Sequence, residues 1–168
     1  KPEDPFCVLD LDLLKNYKGV KRRQEILKET DSLVVIEDFG HHPTAIEQTI
    51  DSLRNRYPGY QIAACFEPRS NTARTKLFAD RFQNALGRAD VAFIAPVHRA
   101  DRLGDQALPT EQMAANLRER ELYARAFDSN EALLEGLKAY ASQTKEKLLV
   151  CFFSNGAFGG IMKEFVDS

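Results

Sequence analysis

Residues 34–50, "VVIEDFGHHPTAIEQTI", begin with a short apolar run, and side chains that can bind ligands or take part in catalysis follow it. Asp38 offers carboxylate oxygens that accept hydrogen bonds, and His41 and His42 carry imidazoles that titrate near neutral pH. Thr44 and Glu47 have the spacing of a capping box, which predicts a helix with Thr44 as its N-cap. That box explains the start of a helix but neither the aspartate nor the histidines. Adjacent histidines on a turn rarely point at one ion, so no metal site is predicted.

A second group of candidate ligands lies in residues 66–74, "FEPRSNTAR". The periodicity that follows predicts a helix over about residues 72–86, capped by Ser70 or Asn71. Arginine is unfavourable beside a helix N-terminus unless a bound carboxylate or phosphate offsets its charge. The other interpretation is that the arginines are solvated or pair with Glu67 and Asp80. The candidate substrate-binding residues here are Arg69, Ser70, Asn71, Thr72 and Arg74.

A third group lies in residues 152–160, "FFSNGAFGG", where a buried strand leads into a helix. Successive N–H groups in such a turn form a concave anion site, which makes Ser154, Asn155 and Gly156 candidate substrate-binding residues. Glycine-rich turns after strands are common, so this signal is weak by itself. Ser154 lacks a G-x-S-x-G context, and the chain contains no G-x-x-x-x-G-K-[ST] phosphate loop.

The elements that position these loops alternate between strand and helix. Apolar strands are predicted at 33–37, 61–66, 91–96 and 148–153, with a charged strand within 20–30 and a short strand at 124–128. Helices are predicted at 8–19, from about 44 to 57, at 72–86, 110–119 and 129–142, and from 158 onward. This alternation predicts an α/β fold, a three-layer sandwich with a mainly parallel sheet and helices on both faces. The three loops then meet beyond the carboxyl ends of the strands, where such sheets bind ligands.

Composition narrows the class of protein. The chain has 168 residues, 43% hydrophobic residues and a formal net charge of -2, which predicts one domain and neither a nucleic-acid nor a membrane partner. Cys7, Cys65 and Cys151 are odd in number and widely spaced, so neither a disulfide framework nor a zinc site is expected. Cys65 and Cys151 lie in apolar runs and are predicted core residues. The predicted compartment is the cytoplasm.

Four motifs, "GVKRRQEI", "EDFGHHPTAIEQTI", "FEPRSNTAR" and "FFSNGAFGGI", occur in an order that resembles the C-terminal domain of the Mur ligases. The likeness is nearest to the peptidoglycan-recycling member, which joins L-Ala-γ-D-Glu-meso-diaminopimelate to UDP-N-acetylmuramate. It implies a Rossmann-like domain over residues 20–168. Residues 1–19 would be the end of a linker from a central ATP-binding domain of the same protein.

The resemblance also implies an activity. ATP activates the lactyl carboxylate of UDP-N-acetylmuramate as an acyl phosphate, which the amine of the tripeptide attacks. Arg23 and Asp38 match family positions that contact ATP, so both are expected catalytic and nucleotide-binding residues, with His41 and His42 at the same cleft. ATP and Mg²⁺ serve the full-length enzyme, whereas this chain alone is expected to bind no cofactor tightly and to be inactive.

Two other interpretations stay open. The chain resembles the UDP-N-acetylmuramate–L-alanine ligase in its D-[FY]-[GA]-H-H-P-T turn, so free L-alanine is an alternative acceptor. A stand-alone α/β module that binds a nucleotide or an anion is the alternative from another functional class.

Overall fold

The computed structural model describes residues 21–168, so the predicted helix at 8–19 and the expected linker lie outside the described residues. Six strands form one sheet in the order β1-β2-β6-β3-β4-β5. Strand β1 is antiparallel to β2, and every other neighbouring pair is parallel. The predicted, mainly parallel sheet is therefore confirmed. The strands are β1 (Glu25–Glu29), β2 (Leu33–Asp38), β3 (Tyr60–Phe66), β4 (Val91–Ile94), β5 (Tyr123–Ala126) and β6 (Lys147–Phe153).

Helices cover both faces of this sheet, because side chains alternate along each strand. Val34 and Ile36 share one buried cluster with the first three helices, while Val35 shares the opposite cluster with the last two. The result is the predicted three-layer sandwich. The helices are α1 (Pro43–Arg56), α2 (Ala79–Leu86), α3 (Thr110–Glu119), α4 (Asn130–Gln143) and α5 (Ile161–Val166).

Strand β6 lies between β2 and β3, and this order decides which loops meet. Phe153 at the end of β6 is in register with Asp38 on one side and Phe66 on the other. Just beyond, the Ser154 N–H donates to the Asp38 carbonyl at 3.1 Å, and the Glu67 N–H donates to the Phe153 carbonyl at 3.0 Å. The carboxyl ends of β2, β6 and β3 are therefore adjacent, as the sequence predicted.

The predicted start of α1 is wrong by one residue, and the predicted N-cap, Thr44, is wrong by two. The helix begins at Pro43, and His42 occupies the N-cap position with extended backbone and no side-chain capping bond. Thr44 and Glu47 are exposed within the first turns. Proline is favoured at the first helical position because its fixed φ suits the helix and its missing N–H is not needed there.

The predicted helix over 72–86 is also wrong in its first half. Residues 71–74 form turns, a short 3-10 helix covers Lys76–Phe78, and α2 begins only at Ala79. Leu77, predicted to face inward, is 78% exposed. The backbone of this segment pairs elsewhere, because the Leu108 N–H donates to the Arg74 carbonyl at 2.8 Å. The candidate arginines therefore flank no helix N-terminus.

The apolar interior agrees with the sequence pattern. Cys65 and Cys151 are fully buried, and burial raises the pKa of both thiols above the ordinary value. Within residues 21–168, none of the helices is long and apolar enough to span a membrane.

Candidate functional site

The turn after β2, residues 38–42 and hereafter the β2 turn, is organised around a buried carboxylate. Asp38 is 3% exposed, and its two oxygens accept N–H bonds from Gly40 at 2.6 Å and from Gln24 at 3.0 Å. A Cβ added to Gly40 would lie 2.7 Å from the nearer oxygen, so a larger residue here would displace the carboxylate. Asp38 thereby joins the end of β2 to the segment that leads into β1.

Phe39 in the same turn is contacted by two guanidinium groups. The Arg22 and Arg23 guanidinium carbons lie 5.0 and 5.5 Å from the centre of its ring, within the range of cation–π contact. Arg23 is exposed, and within residues 21–168 its side chain makes no hydrogen bond. Arg22 and Gln24, on either side of it, have left-handed φ of 60° and 46°, a conformation that costs non-glycine residues of order 1 kcal/mol or more each. The backbone thus presents Arg23 outward at the strand ends.

The two histidines contact different neighbours. The His41 Nδ1 atom lies 2.9 Å from the Phe39 carbonyl oxygen, whereas the exposed His42 ring lies 5.9 Å from the ring of Phe78. Within residues 21–168, no three His, Cys, Asp or Glu side chains are grouped so that they could hold a metal ion.

Sequence reasoning missed the contacts of Arg22, the neighbour of the predicted Arg23. Its Nε donates to Glu37 Oε1 at 2.6 Å, and its Nη2 donates to the carbonyls of Ser154, at 3.1 Å, and of Gly156. Its own carbonyl accepts the Phe39 N–H at 2.6 Å. The only available signal was the paired arginine in "KRRQ", which does not say which of the two faces inward.

The β6–α5 loop, residues 154–160, is bonded to a second buried acid, Glu67, which follows β3. Glu67 is 4% exposed and accepts a hydrogen bond from the Ser154 hydroxyl, whose oxygen in turn accepts the Gly156 N–H at 2.8 Å. A Cβ added to Gly156 would lie 2.7 Å from Arg69 Nε, so the arginine packs directly on this glycine. The predicted Ser154–Gly156 turn and Arg69 are therefore in contact. The buried Oδ1 of Asn155 has no hydrogen-bond partner within the described residues.

Beyond β3 and β4 lie four basic side chains, Arg69, Arg74, His98 and Arg99, which we call the arginine cluster. Burial and the charges of the three arginines lower the pKa of His98 below its ordinary value, and Glu67 opposes them. The Arg69 side chain is 40% exposed, and its ion pair with Glu67 is long, at 3.7 Å. This edge therefore carries more positive than negative charge.

The predicted substrate-binding residues differ in their exposure and in how many hydrogen bonds they already make within the domain. Arg74 is half-buried and braces the loop, since its guanidinium donates to the His98 carbonyl at 3.3 Å and to Asn71 Oδ1 at 2.8 Å. The Ser70 hydroxyl accepts the Ala73 N–H at 3.1 Å, and Thr72 is exposed. Arg69 is consequently the candidate best placed to meet a ligand, and the exposed Arg99 is a neighbouring basic residue that the sequence analysis did not single out.

Comparisons with known proteins identify the family to which the chain belongs. The family model described as "Mur ligase, glutamate ligase domain" matches residues 22–156. The UDP-N-acetylmuramate–L-alanyl-γ-D-glutamyl-meso-2,6-diaminoheptandioate ligase of Haemophilus influenzae is 35% identical over 159 residues, 92% of this chain and 32% of that protein. The UDP-N-acetylmuramate–L-alanine ligase of Streptococcus equi subsp. zooepidemicus is 37% identical over 125 residues, 73% of this chain and 27% of that protein.

A solved structure covers nearly the same span. A crystallised domain from a Haemophilus ducreyi protein, described as a UDP-N-acetylmuramate:L-alanyl-γ-D-glutamyl-diaminopimelate ligase, is 29% identical with a TM-score of 0.64. The match covers 86% of this chain and 98% of that domain. The chain spans about a third or less of the curated relatives above. With the family model covering most of its length, the chain belongs to the Mur ligase family and contains its C-terminal, glutamate ligase domain.

Proposed function

We propose that this chain is the acceptor-binding domain of an ATP-dependent ligase that joins L-Ala-γ-D-Glu-meso-diaminopimelate to UDP-N-acetylmuramate in peptidoglycan recycling. The observation that carries the proposal is the arginine cluster at the carboxyl ends of β3 and β4. The tripeptide has several carboxylates, and exposed arginines bind carboxylates through two parallel hydrogen bonds. The long match to the Haemophilus influenzae ligase supports the same acceptor.

In the proposed reaction, ATP supplies the phosphoryl group that activates the lactyl carboxylate of UDP-N-acetylmuramate. The tripeptide amine then attacks the activated carbonyl, and an amide forms as phosphate leaves. Arg23, exposed beside Phe39, is the side chain of this domain proposed to meet the negative charge that develops during the transfer. Asp38 holds the Gln24 N–H and so fixes the backbone next to Arg23.

The site residues fit a nucleotide phosphate better than a metal ion. Arg23 and the exposed His42 are donors at the edge of the β2 turn. By contrast, the carboxylates of Asp38 and Glu67 are buried and already hydrogen-bonded. Magnesium, a hard cation that prefers carboxylate and phosphate oxygens, would therefore be held by the domains that precede this chain in its relatives.

On the acceptor side, Arg69 is proposed to bind a carboxylate of the tripeptide directly. Its guanidinium is partly exposed, and its bond to Glu67 is long enough to be exchanged for a ligand. Arg99 and the N–H groups of the β6–α5 loop supply further donors. Arg74 is proposed to act indirectly, because its bonds connect residue 71 to residue 98.

The second candidate is the L-alanine ligase, favoured by 37% identity to the Streptococcus equi enzyme over 73% of the chain. Free L-alanine carries one carboxylate and leaves most of the arginine cluster without a partner. Comparing tripeptide with free L-alanine as acceptor in the full-length protein separates the two.

A stand-alone module would instead bind ATP measurably as the 168-residue chain. For this chain alone we expect neither ATP hydrolysis nor amide formation, because it contains no phosphate loop.

The deciding experiment replaces Arg69 in the full-length enzyme. Arg69→Ala should raise the tripeptide KM by roughly one to two orders of magnitude, as expected for loss of a hydrogen bond to a charged group. Arg69→Lys should recover part of the loss, and the KM values for ATP and UDP-N-acetylmuramate should barely change.

Arg88→Ala is the matched control, because Arg88 pairs with Asp51 on the surface at the opposite edge of the sheet. If Arg69→Ala left the tripeptide KM unchanged, Arg69 would not be a residue that binds the tripeptide.

A further inference from the structure

We propose that Arg22 is a positioning residue that sets the acceptor-side Arg69 relative to the nucleotide-side Arg23. The inference rests on the proposed function for its kinetic consequences, and on geometry alone for its structural ones. Arg22 lies in the entry to β1, and its guanidinium connects Glu37 near the end of β2 to two carbonyls of the β6–α5 loop.

The first step runs from Arg22 to the β6–α5 loop. Its Nη2 donates to the carbonyls of Ser154 and Gly156, which lie beyond the last paired residue of β6. The sheet positions Phe153, and the Ser154 N–H still donates to the Asp38 carbonyl, but among residues 21–168 no backbone N–H donates to the carbonyls of Ser154 and Gly156. The Arg22 guanidinium, held at its other side by Glu37, therefore supplies the donor that these two carbonyls use.

The second step runs from the loop to Arg69. Gly156 accepts from Arg22 through its carbonyl, while its α-carbon lies so close to the Arg69 side chain that an added Cβ would collide with it. The Gly156 N–H is held by the Ser154 hydroxyl, which donates to Glu67, the partner of Arg69. A shift of Gly156 thus changes both the packing surface and the ion partner of Arg69.

The third step runs from Arg22 to Arg23. The two residues are adjacent, and both guanidinium groups lie on the ring of Phe39. The Phe39 N–H donates to the Arg22 carbonyl, and Arg22 holds a left-handed φ of 60°. Losing the guanidinium removes the bonds that keep this conformation, and so changes the direction in which Arg23 leaves the backbone.

The structural arm of the test uses the 168-residue chain and NMR. Arg22→Lys keeps the charge but removes the planar fork, so the Gly156 amide and the Arg69 Nε–Hε signals should both shift. The control is Arg88→Ala, which should leave both signals in place. Unchanged Gly156 and Arg69 signals in Arg22→Lys would overturn the inference, whatever the full-length enzyme does.

The kinetic arm is a double-mutant cycle in the full-length enzyme. Arg22→Ala should raise the tripeptide KM about tenfold and also lower kcat. In an Arg69→Ala background, the same change should alter the tripeptide KM by less than about twofold, because the two residues act through one contact.

Two results separate the ideas. Additive effects of Arg22→Ala and Arg69→Ala on the tripeptide KM would overturn the coupling. Shifted NMR signals together with a tripeptide KM that neither variant changes would support the positioning of Arg69 by Arg22 and contradict the proposed acceptor function.

Discussion

The β2 turn and the arginine cluster lie at the same edge of one sheet, yet they satisfy their polar groups in opposite ways. In the β2 turn, the Asp38 carboxylate is buried and accepts two backbone N–H groups. In the arginine cluster, three guanidinium groups surround one histidine, and the nearest acid, Glu67, is buried and bonded to Ser154. The first region is internally complete, whereas the second has an excess of positive charge that an anionic ligand would balance. The chemical type of a side chain therefore does not show whether it stabilises the local fold or is available to bind a ligand.

The largest effect is expected at Arg23, the exposed arginine beside Phe39 for which we propose a role in nucleotide binding. Arg23→Ala in the full-length enzyme should lower kcat by roughly a hundredfold to a thousandfold, since a donor aimed at developing charge contributes about 3–4 kcal/mol of barrier. Arg56→Ala is a matched control, because Arg56 makes a similar contact, 5.2 Å from the ring of Tyr57. If the kcat of Arg23→Ala stayed near that of the parent enzyme, Arg23 would not contribute to catalysis.

The next effect concerns the buried acid of the same turn. Asp38→Ala leaves the N–H groups of Gln24 and Gly40 without their acceptor, so the free energy of unfolding of the 168-residue chain should fall by about 2–4 kcal/mol. Asp38→Asn should lose less, because the amide keeps one acceptor oxygen. Urea denaturation measures both, with the exposed Asp128→Ala as reference. If Asp38→Ala were as stable as that reference, the turn would not depend on its carboxylate.

In the arginine cluster, we expect a measurable change in the protonation of His98. The pKa of His98 is lowered in the folded chain, so folding favours the neutral ring. The stability that neutral His98 contributes is therefore complete above its unfolded pKa of about 6.5 and is lost as the pH falls toward its folded pKa. NMR titration should give a midpoint below the ordinary value. Removing one of the surrounding charges in Arg69→Ala should move that midpoint upward. A midpoint that is the same in both proteins would mean that Arg69 does not act on His98.

The smallest effect is expected at Thr44. Its hydroxyl caps no helix, so Thr44→Ala should change the free energy of unfolding by less than about 0.5 kcal/mol. Ser129 is the contrasting case, because its side chain accepts the Ala132 N–H at 3.0 Å, and Ser129→Ala should cost about 1 kcal/mol. Equal losses for the two variants in chemical denaturation would contradict the observed start of α1.

Sequence reasoning succeeded where the local pattern and the tertiary structure agree. Helix α3 begins and ends at the predicted residues 110 and 119, and the buried strands were found within a few residues because continuous apolar runs are typical of parallel sheets. The meeting of the three loops also followed, since parallel strands bring their carboxyl ends to one edge.

The failures arose where distant backbone competes for hydrogen bonds. Residues 72–75 have helical spacing, but Thr75 pairs with Ala107 in an antiparallel bridge that no local pattern indicates. The capping-box spacing of Thr44 and Glu47 was outweighed by proline at position 43. Arg22 and Arg23 are identical in type and adjacent, so only the left-handed backbone decides that the first faces the loops and the second faces out.

The central place of the last strand has a consequence for how the chain folds. Until residues 147–153 are available, the sheet consists of a β1–β2 hairpin and a separate β3–β4–β5 unit, each with an unpaired edge where β6 will insert. Pairing of these distant segments carries a large loop-closure cost, and sheets of this kind fold slowly. During synthesis, the two halves must therefore wait for residues 147–153 to leave the ribosome. A chain stopped before Lys147 would expose two strand edges that favour aggregation over folding.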